Sequence, residues 1–180
     1  MKREVNIFEH AGKIYDALSQ TGILVTTNAD DKSNVMTIGW GTLGIEWATP
    51  IFTVYVRTGR FSHELIEKNP EFTICAPMKI ETAEKKITAA CGSKTGRNIN
   101  KFDEAGLTIV EPELVKTPAI KEFPLTIECR VIFQKLQPIA EIDSKFEKFY
   151  PAGVDSTHPR ANEDPHTAYY GEILKSYIIE

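Results

Sequence analysis

The period of the apolar positions changes several times along the chain, and each change predicts an element. Phe8, Ala11, Ile14, Tyr15 and Leu18 recur at spacings of three and four. That spacing predicts a short amphipathic helix over 8–19, closed by Thr21-Gly22. Ile23 to Asn28 then predicts a strand, Asp30-Asp31-Lys32-Ser33 a turn, and Asn34 to Gly41 a second strand. Pro50 opens a third strand, Ile51 to Val56, rich in β-branched and aromatic residues. Ser62 predicts the N-cap of a helix at 63–69, which ends at Asn69-Pro70 because the residue before a proline is pushed out of the helical region. Glu71 to Ala76 reads as a fourth strand.

The middle of the chain is more helical. Helices are predicted from Glu81 to Cys91 and from Arg97 to Ala105, joined by a Gly92–Gly96 loop and stopped by Gly106. Short extended pieces follow over 107–116, then a long strand from Leu125 to Leu136. Pro138 breaks it before a further strand at 139–142. Residues 150–166 contain Pro151, Gly153, Pro159 and Pro165 and few apolar side chains, which predicts a loop of about 15 residues. The last strand runs from Ala168 to Ile179. Strands with helices inserted among them predict a mainly β barrel with α additions. Strict βα alternation is missing, and no GxGxxG follows a strand, so a Rossmann reading fails.

Composition narrows this picture. A chain of 180 residues with 42% hydrophobic and 26% charged residues fits one domain over 1–180. A net charge of −4 supplies no basic face for nucleic acid. Cys75, Cys91 and Cys129 lack CxxC or Cys/His ligand spacing, which argues against zinc or a disulfide framework. The polar N-terminus and the lack of an apolar run of about 20 residues predict a reduced, cytoplasmic protein without a membrane partner.

Four segments carry candidate chemistry. Along Asn34-Val35-Met36-Thr37-Ile38-Gly39-Trp40-Gly41, alternation turns Asn34, Met36, Ile38 and Trp40 one way and Val35, Thr37 and Gly39 the other. Glycines beside a Trp mark a bulge or the close approach of a flat ligand; a core Trp on a bent strand fits the same pattern. Arg57-Thr58-Gly59-Arg60-Phe61-Ser62-His63 sets two arginines beside a helix start, a phosphate corner or else a solvated loop. Cys91 to Asn98 is a glycine-bracketed polar loop whose small residues let amides approach an anion, with Lys94 and Arg97 adding charge; an ordinary helix connector has the same composition. In His166-Thr167-Ala168-Tyr169-Tyr170-Gly171 the tyrosines divide between core and surface, or one stacks on a ligand. His166 reads as a solvent-facing residue of the Pro-rich loop, with acid/base chemistry as the alternative. No GxSxG, HExxH or paired-carboxylate pattern competes, since Glu81, Glu84 and Glu104 lie scattered on predicted helix faces.

In their order and spacing these segments resemble the flavin reductase-like family, an FMN-binding split barrel that includes flavoredoxins. The resemblance runs from about Thr21 to Tyr177. It is carried by Asn34-x-Met36-Thr37-x-x-Trp40, Pro50 before the strand ending in Arg57, Ser62-x-x-Leu65-Ile66, Glu71-Phe72, Gly92-x-x-x-Gly96-Arg97, Lys101-Phe102, Ala105-Gly106-Leu107-Thr108 and Tyr169-Tyr170-Gly171. It implies a six-stranded Greek-key split β-barrel, a homodimer, FMN as cofactor and NAD(P)H as a possible electron donor. By the same resemblance Met36, Thr37, Ile38, Gly39 and Trp40 would line the isoalloxazine, with Asn34 nearby. Arg57 and Ser62, with Arg60 and His63, would hold the phosphate. Ser93, Lys94, Gly96 and Lys101 would reach the flavin edge or tail, and Tyr169 or Tyr170 would pack on the ring. Ser62 stands where relatives carry Thr, and 41–49 and 150–166 match nothing, which leaves the substrate side unassigned. A flavoredoxin-like electron carrier that binds no nicotinamide, and a flavin-free ligand-binding barrel, remain alternative functions.

Overall fold

The computed structural model describes residues 1–151 and 163–180; most of the loop predicted at 150–166 lies outside the described residues. The elements in chain order are β1 (Lys2–Glu4), a 3-10 turn (Ile7–His10) running into α1 (Ala11–Gln20), β2 (Ile23–Ala29), β3 (Lys32–Ile38), β4 (Gly41–Glu46) and β5 (Thr49–Arg57). After them come α2 (Phe61–Lys68), β6 (Glu71–Ala76), α3 (Thr82–Ser93), α4 (Lys101–Glu104), β7 (Ile109–Val110) and β8 (Ala119–Ile120). β9 (Leu125–Gln137), 3-10 turns at Ile139–Glu141 and Ser144–Phe149, and β10 (His166–Ile179) complete the chain.

The main sheet is antiparallel throughout, in the order β3-β2-β6-β9-β10-β5-β4, with β1 paired to the far end of β10. The fold is therefore mainly β with inserted helices, a split barrel as expected, but among the described residues the sheet has eight strands where six were expected. β1 and β4 account for the difference. β4 went unpredicted because its Gly41-Thr42-Leu43-Gly44 start has neither β-branched density nor strict alternation. Pairing with β5 makes it a strand, and the hairpin turns at Trp47-Ala48, both at positive φ (49° and 56°). The hairpin between β2 and β3 turns the same way at Asp30-Asp31 (50° and 59°), the type I′ geometry that matches the right-handed strand twist.

Three further expectations change. The strand expected to run unbroken from Asn34 to Gly41 stops at Ile38, and Gly39-Trp40 forms a bend into β4. Ile139–Glu141 form a 3-10 turn instead of the strand expected over 139–142, and no described strand pairs with them. The helix expected over 97–105 contracts to Lys101–Glu104, capped by the Asn100 side chain, which accepts from the Phe102 amide.

Burial explains why the strands read as apolar runs. One core fills the barrel with Ile14, Ile23, Val25, Ile38, Phe52, Val54, Phe72, Ile74 and Tyr169. A second, under α3 and α4, gathers Leu24, Val35, Cys75, Cys91, Phe102 and Phe123. β2 feeds both, so both of its faces are buried and its pattern is continuous rather than alternating. β3 and β4 are the two ends of the sheet path, yet only Gly39 and Trp40 separate them in sequence. The curled sheet therefore brings its edges together at Trp40, and the groove described next opens along that seam.

Candidate functional site

Two cavities share Met36, Thr37 and Arg60 and so form one groove. At the seam end it is walled by Ile38, Gly39, Trp40, Tyr55, Arg57 and His166. The other end, of about 430 Å³, is walled by Asn34, Gly59, Phe61, the loop 92–97 and Lys101. That size suits a small organic ligand.

The loop end is cationic and rich in exposed backbone. It is held down by contact rather than by regular structure. A Cβ on Gly96 would lie 2.0 Å from Asn34 Oδ1, so only glycine lets the loop sit this close to β3. Asn34 is buried behind the loop and donates from Nδ2 to Ser62 Oγ at 2.8 Å. Thr37 Oγ1 donates to the Thr88 carbonyl at 2.6 Å, which docks α3 onto β3. Arg97 Nη1 donates to the Gly59 carbonyl at 3.2 Å and its guanidinium pairs with Glu64, tying the loop to the start of α2. The Lys94 ammonium is paired with Glu104 at 2.5 Å. Lys101 is buried, and its ammonium donates to the Cys91 carbonyl at 2.7 Å. Desolvation first, with a smaller push from neighbouring Arg60, brings its pKa down to about 8. An anion in the groove would relieve both penalties.

The seam end is aromatic. Trp40, 40% exposed, meets Phe149 edge-on at 5.4 Å between ring centroids and tilts over His166 at 4.8 Å. His166 is 5% exposed rather than solvent-facing, because its pairing opposite Arg57 places it at the base of the seam. Its Nδ1 shares a hydrogen bond with Tyr150 Oη at 2.8 Å. Burial first, and then the Arg57 charge, depress its pKa to about 4, so the imidazole is neutral at pH 7. Arg57 donates to the carbonyls of Asp164 and Phe149, both at 2.8 Å.

The groove thus gathers Asn34, Met36, Thr37, Ile38, Gly39, Trp40, Arg57, Arg60, Ser93, Lys94, Gly96 and Lys101 from the expected residues. The remainder lie elsewhere. Ser62 is not a helix cap: α2 begins at Phe61, two residues before the expected start, Arg60 occupies the cap position, and the buried Ser62 hydroxyl supports Asn34 from behind. His63 turns away, its Nε2 3.1 Å from Thr167 Oγ1 and its ring edge-on to Tyr169. Tyr169 is fully buried in the barrel core and donates to Glu67 at 2.6 Å. Tyr170 faces a neighbouring cleft with Thr42 and Tyr55 and packs tilted against Phe133, 5.2 Å between ring centroids. Sequence reasoning missed Tyr55 and Phe61. Alternation along β5 could have found Tyr55, since it shares a face with Arg57.

Comparisons with known proteins bear on this geometry. A family model described as flavin reductase like domain matches residues 15–177. An uncharacterized protein of Archaeoglobus fulgidus is 31% identical over 128 residues, covering 71% of this chain and 66% of that protein. A solved flavoredoxin of Desulfovibrio vulgaris (Miyazaki F) is 25% identical with a TM-score of 0.64, covering 89% of this chain and 70% of that one. The FMN-binding domain of a flavin reductases-like enzyme from Shewanella baltica OS155 is 19% identical with a TM-score of 0.63, covering 99% and 77%. At that identity the last likeness speaks to the fold alone. Among the described residues no helix is long and apolar enough to cross a membrane.

Proposed function

This chain belongs to the flavin reductase-like family, and on that premise we propose that it is an FMN-binding oxidoreductase that accepts electrons from NAD(P)H. The observation that carries the reading is the single groove with a cationic, amide-rich end and an aromatic end, joined through Met36, Thr37 and Arg60. An amphiphilic ligand with a phosphate at one end and a flat ring at the other fits that polarity. Arg60, Lys101 and the 92–97 amides would hold the phosphate, the strand Met36–Trp40 would border the ring, and Asn34 would support the loop between them. Bound FMN would supply the electron-transfer chemistry. The protein's part is to hold it, to keep water from the ring with Trp40 and Phe149, and to place positive charge near it. Neutral His166 and the Tyr150 hydroxyl offer a hydrogen-bonding pair at the ring end.

The likeness to a flavoredoxin favours a second reading, an electron carrier that takes electrons from a protein and never binds a nicotinamide. We also propose a homodimer. Its support is an apolar patch on the β4–β5 hairpin and the outer half of β9, where Ile45, Trp47 and Phe133 are 62%, 59% and 46% exposed. Trp47 and Phe133 meet edge-on at 6.1 Å within it. Three buried free thiols suit the cytoplasm.

The purified protein should quench added FMN fluorescence and show a flavin absorption band. Stopped-flow mixing with NADH or NADPH should bleach that band. No bleaching with either would overturn the reductase reading in favour of the carrier, and no FMN binding would leave a flavin-free barrel. Sedimentation equilibrium at twice the monomer mass would support the dimer; a monomer at micromolar concentration would refute it.

A further inference from the structure

We propose that Arg57 is a positioning residue rather than a phosphate ligand: it fastens the segments Phe149-Tyr150 and Asp164–His166 to the seam, leaving the phosphate to Arg60 and Lys101. The inference rests on the FMN reading above and refines it.

Arg57 closes β5 and lies opposite His166 in register. Its two terminal nitrogens diverge, Nη1 to the Asp164 carbonyl and Nη2 to the Phe149 carbonyl, both at 2.8 Å. The guanidinium plane lies 4.8 Å from the Tyr150 ring centroid. The next two amides continue the attachment: Thr58 donates to the Pro165 carbonyl at 3.0 Å and Gly59 to Asp164 Oδ2 at 2.7 Å. On the far side, Tyr150 meets His166 at 2.8 Å and Phe149 meets Trp40. Phe149, Tyr150, Trp40 and His166 are thus each within one contact of Arg57. A rigid fork with several donors can serve two carbonyls from distant parts of the chain at once; an ammonium on a flexible stem holds no such geometry.

Place in the groove points the same way. Arg57 lines only the seam end, whereas Arg60 lines both ends and Lys101 only the loop end, beside the 92–97 amides. A phosphate at the loop end meets Lys101, Arg60 and the polar 92–97 loop. At the seam end it would meet Trp40 and a neutral imidazole.

The test compares FMN with riboflavin, which lacks the phosphate, in fluorescence titrations of the full chain. Arg60→Ala and Lys101→Met should lower the FMN-to-riboflavin affinity ratio. Arg57→Ala and Arg57→Lys should weaken both flavins by the same factor, about tenfold for the loss of a charge-assisted hydrogen bond, and leave the ratio unchanged. Hydrogen exchange should quicken at the Thr58 and Gly59 amides in Arg57→Lys while β2 and β6 amides hold their protection. A ratio that falls in Arg57→Ala, or FMN affinity restored by Arg57→Lys, would overturn the proposal. If the unaltered protein binds neither flavin, the FMN reading fails, and the exchange at Thr58 and Gly59 alone decides whether Arg57 fastens the wall.

Discussion

Replacing Gly96 by alanine probes how the loop over the groove is held. The added Cβ would stand 2.0 Å from Oδ1 and 2.8 Å from Cγ of Asn34, and 3.4 Å from the Phe61 ring. Asn34 is 3% exposed and bonded to Ser62, so swinging it aside breaks that bond in a dry environment. Leaving a buried donor and hydroxyl without partners costs about 1–3 kcal/mol, and forcing extra volume into packed surroundings costs about the same. If the loop lifts instead, residues 92–97 leave the groove and carry Arg97 off Gly59. Urea unfolding without FMN, followed by circular dichroism, should therefore show Gly96→Ala destabilised by about 1–3 kcal/mol with an unchanged m value. Asn34→Ala alone also loses the bond to Ser62. The double variant removes both the clash and its cause, so it should cost less than the two singles together by about 1 kcal/mol or more. Additive costs, or a Gly96→Ala variant within about 0.5 kcal/mol of the parent, would refute the contact argument.

Gly171→Ala should destabilise by about 1–3 kcal/mol in the same assay, because its Cβ would meet the Phe72 ring at 2.4 Å and Cys129 Cβ at 2.8 Å across the β10 bulge. For His166 the folded pKa of about 4 lies below the ordinary 6.5, so the unfolded chain binds the extra proton. Its contribution is complete above pH 6.5 and is lost as pH falls toward 4. Urea midpoints measured across that window should drop less steeply in His166→Gln. Because Lys101 loses its proton near pH 8 in the folded protein, FMN affinity should decline above that pH in fluorescence titrations, and Lys101→Arg should flatten the decline.

Local signals made much of the fold legible. β2, β5, β6, β9 and β10 follow from their own apolar runs, and α1 from its i, i+3/i+4 spacing, because burial on one or both faces writes its period into the residues it needs. The hairpin at Asp30-Asp31 was likewise readable, since its turn chemistry is local. β4 was not readable, because glycine-rich strands become strands through the partner they pair with. His166 misread as exposed and Tyr169 as ring-facing share one cause: whether a side chain on β10 points to the groove or the core depends on register against β5 and β9.

The residue types of the groove were likewise visible as separate segments, and their order carried the family resemblance. By itself the sequence determined the apolar faces, the glycine loop and the cations around it. Only the tertiary structure decided that the two sheet edges meet at Trp40, that the Ser62 hydroxyl is buried against Asn34, and that Arg57 reaches two distant carbonyls. These are long-range pairings between positions whose local patterns do not depend on one another, so no window along the chain contains them.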